Sequence, residues 1–226
     1  MIADNLKSVR QRMTRCCEKS GRSSEEIGLI CVTKETDIPQ IEKVLDLGVK
    51  DLGENRVQEL VSKYKIIGDR AAWHLVGHLQ TNKVRDAVKI AVLIHSVDSI
   101  RLAKEIDKEA GRINKVQDIL VHVNTSGEES KFGIAPEDAI DFVTEVSLYP
   151  DIVITGLMTI APEVDDPEKA RPYFRKLCEL RDEINSVRST QYAVRILSMG
   201  MSNDFEAAIE EGSNMVRIGR AIFGGH

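Results

Sequence analysis

The sequence predicts an α/β protein, a single (β/α)8 barrel with one extra helix at its N-terminus. Short β-rich runs alternate with longer amphipathic segments along the 226 residues, in roughly eight pairs. Nearly every run ends in a residue able to do chemistry: Lys34, Asn55, His78, Ser96, Asn124, Met158, Ser198, and Arg217 with Gly219. In a closed parallel barrel the C-terminal ends of all strands meet at one face, which holds the active site. These residues would therefore converge on one pocket with a lysine in its wall.

An open, doubly wound sheet is the competing architecture, because it uses the same alternation of strands and helices. Two observations favour closure. Chemically capable residues follow the strands through to the last element, and no G-x-G-x-x-G sequence follows the first strand. No repeat, low-complexity tract or Pro/Gly-rich linker divides the chain, so one domain over residues 1–226 is predicted.

The first half of the chain supplies the extra helix and four strand–helix pairs. The opening helix covers about residues 3–19, and Gly21 follows it as a stop signal. Apolar, β-branched runs predict strands at Ile27–Thr33, Val49–Gly53, Ala72–Gly77 and Ala91–His95. Helical periodicity predicts the helices after them, at Ile38–Leu47, Arg56–Tyr64, Asn82–Val88 and Ile100–Ala110.

The second half continues the same alternation. Strands are predicted at Asp118–Val123, Ile152–Leu157, Val194–Leu197 and Met215–Ile218. The helices between them are predicted at Pro136–Leu148, Pro167–Val187 and Phe205–Ile209. Proline is favoured in the first turn of a helix, which supports the start at Pro136.

Composition excludes several classes of protein. A net charge of −5 offers no large basic face for nucleic acid. The longest apolar runs stop after roughly 8 residues, far short of a membrane span. The first 15 residues lack the apolar core of a signal peptide, so a cytoplasmic location is expected. The four cysteines form no C-x-x-C pair and the five histidines no metal-binding pattern, so reduced thiols and no metal are predicted.

The last two strands are followed by small residues that suit an anion. After the seventh strand comes Ser198-Met-Gly-Met-Ser202, and after the eighth comes Gly219-Arg-Ala-Ile-Phe-Gly224. Small residues at strand-to-helix turns let backbone N–H groups approach a phosphate, and barrels often bind phosphate at these two loops. Ser198, Ser202 and Asn203 could instead be ordinary caps and turn residues. A lysine facing the same mouth favours the binding hypothesis.

Lys34 follows the first predicted strand, where most lysines are simply solvated. A lysine held half-buried loses hydration, its pKa falls, and its amine can form a Schiff base with an aldehyde. A lysine aldimine combined with a phosphate cradle describes the binding of pyridoxal 5′-phosphate. An arginine such as Arg217 keeps its proton, so facing the pyridine nitrogen it would leave that nitrogen unprotonated and weaken the ring as an electron sink.

A resemblance adds to this interpretation. The chain resembles the pyridoxal phosphate homeostasis proteins, also called the proline synthase co-transcribed or YggS-type family. The members of this family are similar to the N-terminal barrel of alanine racemase, which represents fold type III of the pyridoxal phosphate enzymes. The matching stretches run almost end to end: Val32-Thr-Lys34, Gly53-Glu-Asn-Arg-Val-Gln-Glu59, Trp73-His-Leu-Val-Gly-His-Leu-Gln-Thr-Asn-Lys83, His95-Ser-Val-Asp98, Val123-Asn-Thr-Ser-Gly-Glu-Glu-Ser-Lys-Phe-Gly133, Gly156-Leu-Met-Thr-Ile-Ala-Pro162, Leu197-Ser-Met-Gly-Met-Ser202 and Met215-Val-Arg-Ile-Gly219.

The resemblance implies a role for each site residue. Lys34 would be the aldimine lysine, and Arg217 would meet the pyridine nitrogen. The phosphate would be surrounded by Ser198, Gly200, Ser202, Gly219 and Arg220, and the pocket wall would include Asn55, His78 and Met158. The chain departs from the family at Thr33, where a serine is common, and in the acidic segment Glu35-Thr36-Asp37 after the lysine.

Other charged or aromatic residues are interpreted as structural. Glu59 is taken as a solvated charge, and Glu54 is left undecided. Arg56 and Lys83 could steer an anionic ligand or be ordinary surface charges. Lys131 could meet a ligand at the mouth, although a solvated loop lysine is favoured. Trp73 is expected in the core or at the barrel floor. The helix that ends at Val187 is expected to be exposed outer-ring surface.

Three functions remain in competition. The leading hypothesis is a non-catalytic, monomeric binder that stores pyridoxal phosphate (vitamin B6) and delivers it to apo-enzymes that depend on it. Alanine racemase relatives complete their site with a second, β-rich domain that contributes a tyrosine, and this chain, ending at His226, is expected to lack it. An amino-acid racemase working with the barrel alone is the second hypothesis. A phosphosugar-binding barrel without an organic cofactor is the third.

Overall fold

Eight parallel strands close into one barrel in sequence order in a computed structural model of the protein, which describes residues 1–128, 130–187 and 193–224. Each strand pairs with its sequence neighbours, and the first pairs with the last. The predicted closed barrel is therefore confirmed, and the open sheet is excluded. The strands are β1 (Gly28–Val32), β2 (Asp51–Glu54), β3 (Ala72–Leu75), β4 (Leu93–Val97), β5 (Gln117–His122), β6 (Ile152–Met158), β7 (Ile196–Ser198) and β8 (Met215–Ile218).

Helices surround the barrel on its outer face. They are α1 (Ile2–Lys19), α2 (Ile38–Asp46), α3 (Val57–Ile67), α4 (Val84–Ile90), α5 (Ile100–Gly111), α6 (Ala139–Val146), α7 (Arg171–Val187), α8 (Phe205–Glu210) and α9 (Arg220–Phe223). Short 3-10 turns lie at Ser24–Glu26, Gly68–Arg70, Thr81–Lys83, Pro136–Asp138 and Pro167–Ala170. The helix starts follow local chemistry. The Asp37 carboxylate accepts from Gln40 N–H at 2.9 Å, and the Ser99 hydroxyl accepts from Leu102 N–H at 3.3 Å.

The core has two layers, because strand side chains alternate between the two faces of the sheet. Outward-facing residues such as Cys31, Leu52 and Trp73 pack with the apolar faces of the helices. A small apolar layer inside the barrel consists of Leu93, Leu120 and Met158, with Ile196 and Met215 against it. Trp73 is buried as predicted and donates from its indole N–H to Gly68 O.

The extra helix α1 is confirmed, and it packs across α8 and α9. Its Arg12 makes two hydrogen bonds to the Glu206 carboxylate, at 3.1 and 2.6 Å, and lies 4.6 Å above the ring of Phe205. Asn5 donates to Ile222 O at 3.0 Å. These contacts tie the first helix to the last strand–helix pair, next to the seam where β8 meets β1.

Element bounds differ from the predicted ones in a consistent way. Strands β2, β4 and β7 begin two residues later than predicted, at Asp51, Leu93 and Ile196, because apolar residues before them belong to turns that lead into the strand. The helix predicted from Pro136 begins as a 3-10 turn, and its α-helical part ends at Val146. The short α9 was not predicted. In the described part of the chain, none of the helices has the length and apolarity needed to traverse a bilayer.

Candidate functional site

The residues that follow the strands share one face of the sheet. Gly53 and Gly219 both lie beside Val32, and the residues just before them, Leu52 and Ile218, pack in the outer core layer, so the two glycines face the barrel interior. Since side chains alternate along a strand, Lys34 follows Val32 on the interior side, and Asn55 follows Gly53. The same alternation puts His78, Asn124, Met158, Ser198 and Arg217 on this side.

Depth separates these residues into a rim and an interior. Lys34 and His78 are exposed, and Asn55 and Asn124 are half-buried. Met158 is completely buried in the apolar layer inside the barrel, so it forms the floor beneath the mouth. Lys34 therefore stands at the rim, more exposed than the half-buried lysine considered from sequence.

Ser96 does not belong to this set. The pairing of β4 with β5 shifts register between Ile94 and Val97, and the Ser96 hydroxyl donates to Gly77 O at 2.6 Å. It is His95, one residue earlier, whose buried side chain enters the barrel. Ser96 was predicted to follow a strand that ends at His95, but β4 continues to Val97, so both residues lie within the strand.

Arg217 is the principal cation inside the barrel. Its guanidinium donates to Ser198 O at 2.6 Å, to the Ser198 hydroxyl at 2.7 Å and to Thr159 O at 2.9 Å. Burial lowers the pKa of Arg217 to about 10, and the nearby Asp204 carboxylate partly offsets this. The group stays protonated at neutral pH, so a positive charge is held among neutral acceptors below the mouth.

A row of polar side chains continues from Arg217 through the barrel. The Ser198 hydroxyl lies 2.9 Å from His95 Nδ1, and His95 Nε2 lies 3.0 Å from His74 Nδ1. His74 Nε2 lies 3.2 Å from Asp51 Oδ1, at the amino end of β2. Burial lowers the pKa of His95 well below its ordinary value, with the charges of His74 and Arg217 adding to the effect. Ser198 therefore supports the arginine from inside the barrel, rather than lying in the outer loops.

The loops after β7 and β8 meet at the rim. Gly200 has a φ of +95°, and a Cβ there would lie 2.6 Å from the Ala208 Cβ, so only glycine fits. The Ser202 hydroxyl accepts from Ala221 N–H at 3.2 Å, which joins the two loops. At Gly219 a Cβ would lie 2.9 Å from Val32 O, and Arg220 beside it is exposed. The two loops thus present closely spaced backbone and small side chains beside the interior arginine.

The turn that carries Lys34 is held from both sides by α3. Lys63 Nζ donates to Thr33 O, the carbonyl just before Lys34, at 2.6 Å. The Glu59 carboxylate accepts from the N–H of Glu35, just after Lys34, at 3.3 Å. Glu35 has a φ of +59°, which is unfavourable for a residue with a side chain, so these contacts hold a strained turn in place.

Glu54 completes this network in the layer between the barrel and α3. Its side chain is fully buried, and Oε1 accepts from Lys63 Nζ at 2.7 Å and from the Thr33 hydroxyl at 2.5 Å. Within the residues the structure describes, Glu54 Oε2 has no hydrogen-bond partner. Burial raises the pKa of Glu54, while the bonds from Lys63 and Thr33 act in the opposite direction.

Sequence analysis missed most of this network. It left Glu54 undecided, took Glu59 for a solvated residue and did not consider Lys63, although Lys63 is buried and Glu59 contacts it at 3.3 Å. The spacing of Glu59 and Lys63 by four residues on a helix was the available signal for the pair.

Aromatic and imidazole groups line another part of the mouth. The rings of His78 and Phe132 stack, with centroids 4.0 Å apart and planes 16° apart, and His78 Nδ1 lies 3.5 Å from Asp98 Oδ2. Deeper in the mouth, His122 is buried, and burial lowers its pKa to about 4, with Arg217 and His78 contributing. His122 is neutral at physiological pH and, after His74 and His95, is the third interior histidine that was not predicted from the sequence.

The residues considered as surface charges differ in exposure. Arg56 is exposed, and Lys131 is half-buried and donates to the Glu128 carboxylate at 2.9 Å. Glu129, in the quoted Val123–Gly133 motif, and Gly225 and His226 lie outside the described residues. Helix α7 is only partly outer surface, because it buries one face at Phe174, Leu177, Leu180 and Ile184.

Two surface grooves lie away from the mouth. One of about 740 Å³ runs along the outer face of α1, and one of about 420 Å³ lies at the amino end of the barrel, bordered by Arg10, Lys50 and Asp51. Neither groove is lined by Lys34, Arg217 or the loops after β7 and β8, and only Asp51, the outer end of the polar row, borders the second one. The chemical groups that converge in this protein do so at the carboxyl end of the strands, and we take that end as the candidate site.

The arrangement suits a small molecule that carries an anionic group and a carbonyl. A free amine stands on the rim at Lys34, a cation lies inside at Arg217, and tight loops begin at Gly200 and Gly219. The neutral ring of His122 and the stacked rings of His78 and Phe132 supply flat walls. Among the described residues, no three His, Cys, Asp or Glu side chains are grouped as metal ligands would be.

Comparisons with known proteins agree with this geometry. Residues 2–226 match the family model of the alanine racemase N-terminal domain. The pyridoxal phosphate homeostasis protein of Aquifex aeolicus is 45% identical to this chain, over 98% of this chain and 96% of its own length.

Two solved structures extend the comparison. PipY of Synechococcus elongatus with pyridoxal phosphate bound superposes with a TM-score of 0.86 at 31% identity, covering 99% of this chain and 100% of PipY. The alanine racemase of Clostridium difficile has a TM-score of 0.75 at 19% identity, covering 99% of this chain and 56% of the racemase, and so shares the fold.

Proposed function

The chain belongs to the alanine racemase N-terminal domain family and, within it, to the pyridoxal phosphate homeostasis proteins, and from that premise we propose that it binds pyridoxal 5′-phosphate and takes part in its intracellular homeostasis. The single observation that carries this proposal is the buried, protonated Arg217 on the same interior face as the exposed amine of Lys34. A cofactor with an aldehyde at one side and a basic ring nitrogen at the other needs both groups.

The donor set of the mouth fits this cofactor. The Lys34 amine would bond to the aldehyde carbon, and the loops that contain Gly200, Ser202, Gly219 and Arg220 would surround the phosphate. Arg217 would lie at the ring nitrogen, and the walls would come from Asn55, His78, Met158 and His122. When bound, the cofactor supplies an electron sink for carbanions at an amine substrate.

We propose that the protein holds the cofactor without turning over a substrate. Arg217 keeps its proton at neutral pH, so beside the ring nitrogen it would act as a donor, and a nitrogen left unprotonated in this way would weaken the electron sink that the cofactor supplies. His122 is neutral, and its pKa near 4 makes it a weak base. The chain would act as a single-domain monomer in the cytoplasm and pass the cofactor to apo-enzymes.

The visible spectrum tests the binding proposal. Protein incubated with pyridoxal phosphate and freed of excess should show the visible band of a lysine conjugate, and borohydride should trap the label on the peptide that contains Lys34. Lys34→Ala should lose the band, while Lys83→Ala, which removes a lysine elsewhere on the carboxyl side, should keep it. A band that survives in Lys34→Ala, or that never forms, contradicts the assignment and favours a phosphosugar-binding barrel.

Proton exchange distinguishes the binder from an amino-acid racemase. The loaded protein is incubated with a panel of amino acids in D₂O, and exchange at the α-carbon is followed by NMR. We expect exchange no faster than with free pyridoxal phosphate. Rapid exchange that disappears in Lys34→Ala would establish the racemase hypothesis instead.

A further inference from the structure

The row of polar groups inside the barrel links the proposed site to the opposite end of the protein. It begins at Arg217 below the mouth and ends at Asp51, whose side chain is 44% exposed at the amino end of β2. Ser198, His95 and His74 lie between them and are all buried. Four consecutive contacts of 2.7 to 3.2 Å join the five residues.

We propose that this row is a hydrogen-bond relay of fixed direction, in which Asp51, His74 and His95 are positioning residues for Arg217. The inference rests on the proposed function for its effect on the cofactor, but the direction of the relay is a property of the protein alone. It gives a role to two histidines and an aspartate that make no contact with the rim.

The direction follows from counting donors, starting at the arginine. Arg217 can only donate, so the Ser198 hydroxyl accepts from it and has its own proton left to donate. Within the described part of the chain, the acceptor that this hydroxyl meets is His95 Nδ1. His95 must therefore carry its ring proton on Nε2.

The same count continues to the surface. The Nε2 proton of His95 is donated to Nδ1 of His74, so His74 also carries its proton on Nε2. That proton is donated to the Asp51 carboxylate. Every donor in the row meets an acceptor, with a cation at one end and an anion at the other. The opposite tautomers would leave the Ser198 hydroxyl proton without an acceptor and direct two lone pairs at each other near Asp51.

Burial and charge support a neutral imidazole at His95, in the middle of the row. His95 is completely buried, and a proton added to it would face Arg217, so its charged form is strongly disfavoured. Hydrogen bonds in such a chain polarise one another, so each strengthens the next. The carboxylate of Asp51 therefore holds the Ser198 hydroxyl in the orientation that accepts from Arg217, and this fixes the guanidinium against Ser198 and Thr159.

Histidine NMR on the protein without cofactor tests the direction. Long-range ¹H–¹⁵N spectra of ¹⁵N-histidine-labelled protein identify which ring nitrogen carries the proton. We expect His95 to be neutral, and we expect both His74 and His95 to carry a proton on Nε2. A proton on Nδ1 of His95, or on both of its nitrogens, overturns the relay whether or not the cofactor binds.

Asp51→Asn tests the anchoring role without disturbing the core. An amide can donate as well as accept, so it should allow both tautomers, and the ring-nitrogen signals of His74 and His95 should shift. Asp118→Asn is the matched control, because Asp118 is an exposed aspartate at the amino end of β5, outside the row. Unchanged signals in Asp51→Asn, relative to Asp118→Asn, overturn the proposal.

Cofactor affinity measures the consequence at the site. Asp51→Asn should weaken pyridoxal phosphate binding by roughly 2- to 30-fold, the range for one member of a coupled network, with Asp118→Asn unchanged. Equal affinities in the two variants would overturn the role of the relay at the site. Absence of binding in the wild-type protein would instead overturn the proposed function, while the tautomers of His74 and His95 would still test the relay.

Discussion

Replacing Lys63 by methionine tests the network that holds the lysine turn. The Lys63 side chain is 10% exposed, and that of Glu54 is fully buried, so the change removes the counter-charge from an almost dry carboxylate. Methionine retains the length of the aliphatic stem but cannot donate to Thr33 O, to Glu54 or to Glu59. Removing one partner of a buried ion pair costs about 3–5 kcal/mol, because the other charge is left uncompensated.

The expected loss is measurable by thermal and urea unfolding followed by circular dichroism. For a chain of this length, 1 kcal/mol corresponds to about 2–4 °C in the melting temperature, so Lys63→Met should melt roughly 6–20 °C lower. Lys65→Met is the control, because Lys65 is exposed on the same helix. It should change stability by less than about 0.5 kcal/mol.

The pH dependence identifies Glu54 as the source of the loss. Burial already raises the pKa of Glu54 in the folded protein, and loss of Lys63 raises it further. A carboxyl group whose folded pKa lies above its unfolded value stabilises the fold when protonated, and this contribution is lost as pH rises through the folded pKa. The deficit of Lys63→Met should therefore be larger at about pH 8 than at about pH 5.

A double substitution completes the test. In Lys63→Met with Glu54→Gln the buried charge is gone, so more than half of the lost stability should return. The explanation is refuted if Lys65→Met is as damaging as Lys63→Met, if the deficit does not depend on pH, or if Glu54→Gln worsens it. The same variants report on the site, since Lys63→Met should also slow trapping of pyridoxal phosphate at Lys34 by releasing the turn.

Two further substitutions probe the walls of the mouth. Because the folded pKa of His122 is about 4, its contribution to stability is present above the unfolded value and is lost as pH falls from about 6.5 to about 4, by up to about 1.4 kcal/mol per pH unit. His122→Gln should flatten urea-unfolding stability over that range, and an unchanged slope contradicts the assignment. Gly77→Ala should lower the melting temperature by several degrees, because its Cβ would run into the backbone of Asn55. Gly28→Ala, where the nearest atom is 3.6 Å away, is the control, and equal losses would contradict the steric argument.

The barrel and most of its rim were predictable because both depend on periodic patterns. Eight apolar runs imply eight strands, and a chemical residue after each run implies a common face. Lys34, Asn55, His78 and Arg217 were predicted in this way, and alternation along β8 puts Arg217 on the interior side. The family resemblance, confirmed by the comparisons, added the expected partner of each residue.

Residues within the strands were harder to assign. Alternation shows that every second side chain shares a face, but it does not show which of the two sets faces the barrel interior. His74 and His95 lie within apolar runs, where a histidine is easily taken for a satisfied core residue. The strand was predicted to end at His95 with Ser96 after it, whereas β4 runs to Val97 and its pairing shifts register between Ile94 and Val97. Only the paired strands reveal that the two imidazoles face each other.

The pair of Lys63 and Glu54 illustrates a different limit. Thr33 and Glu54 have the opposite phase to Lys34 and Asn55, so the same two strand ends supply the rim on one side and the support beneath α3 on the other. A polar side chain that points into the barrel can reach a ligand, whereas one that points outward packs against a helix. The residue type alone does not show which of the two applies. The polar residues of each strand end therefore have to be divided by phase before any of them is assigned to chemistry. By that criterion Lys34 and Arg217 remain candidates for contact with a ligand, whereas Glu54 and Lys63 hold the turn that contains Lys34.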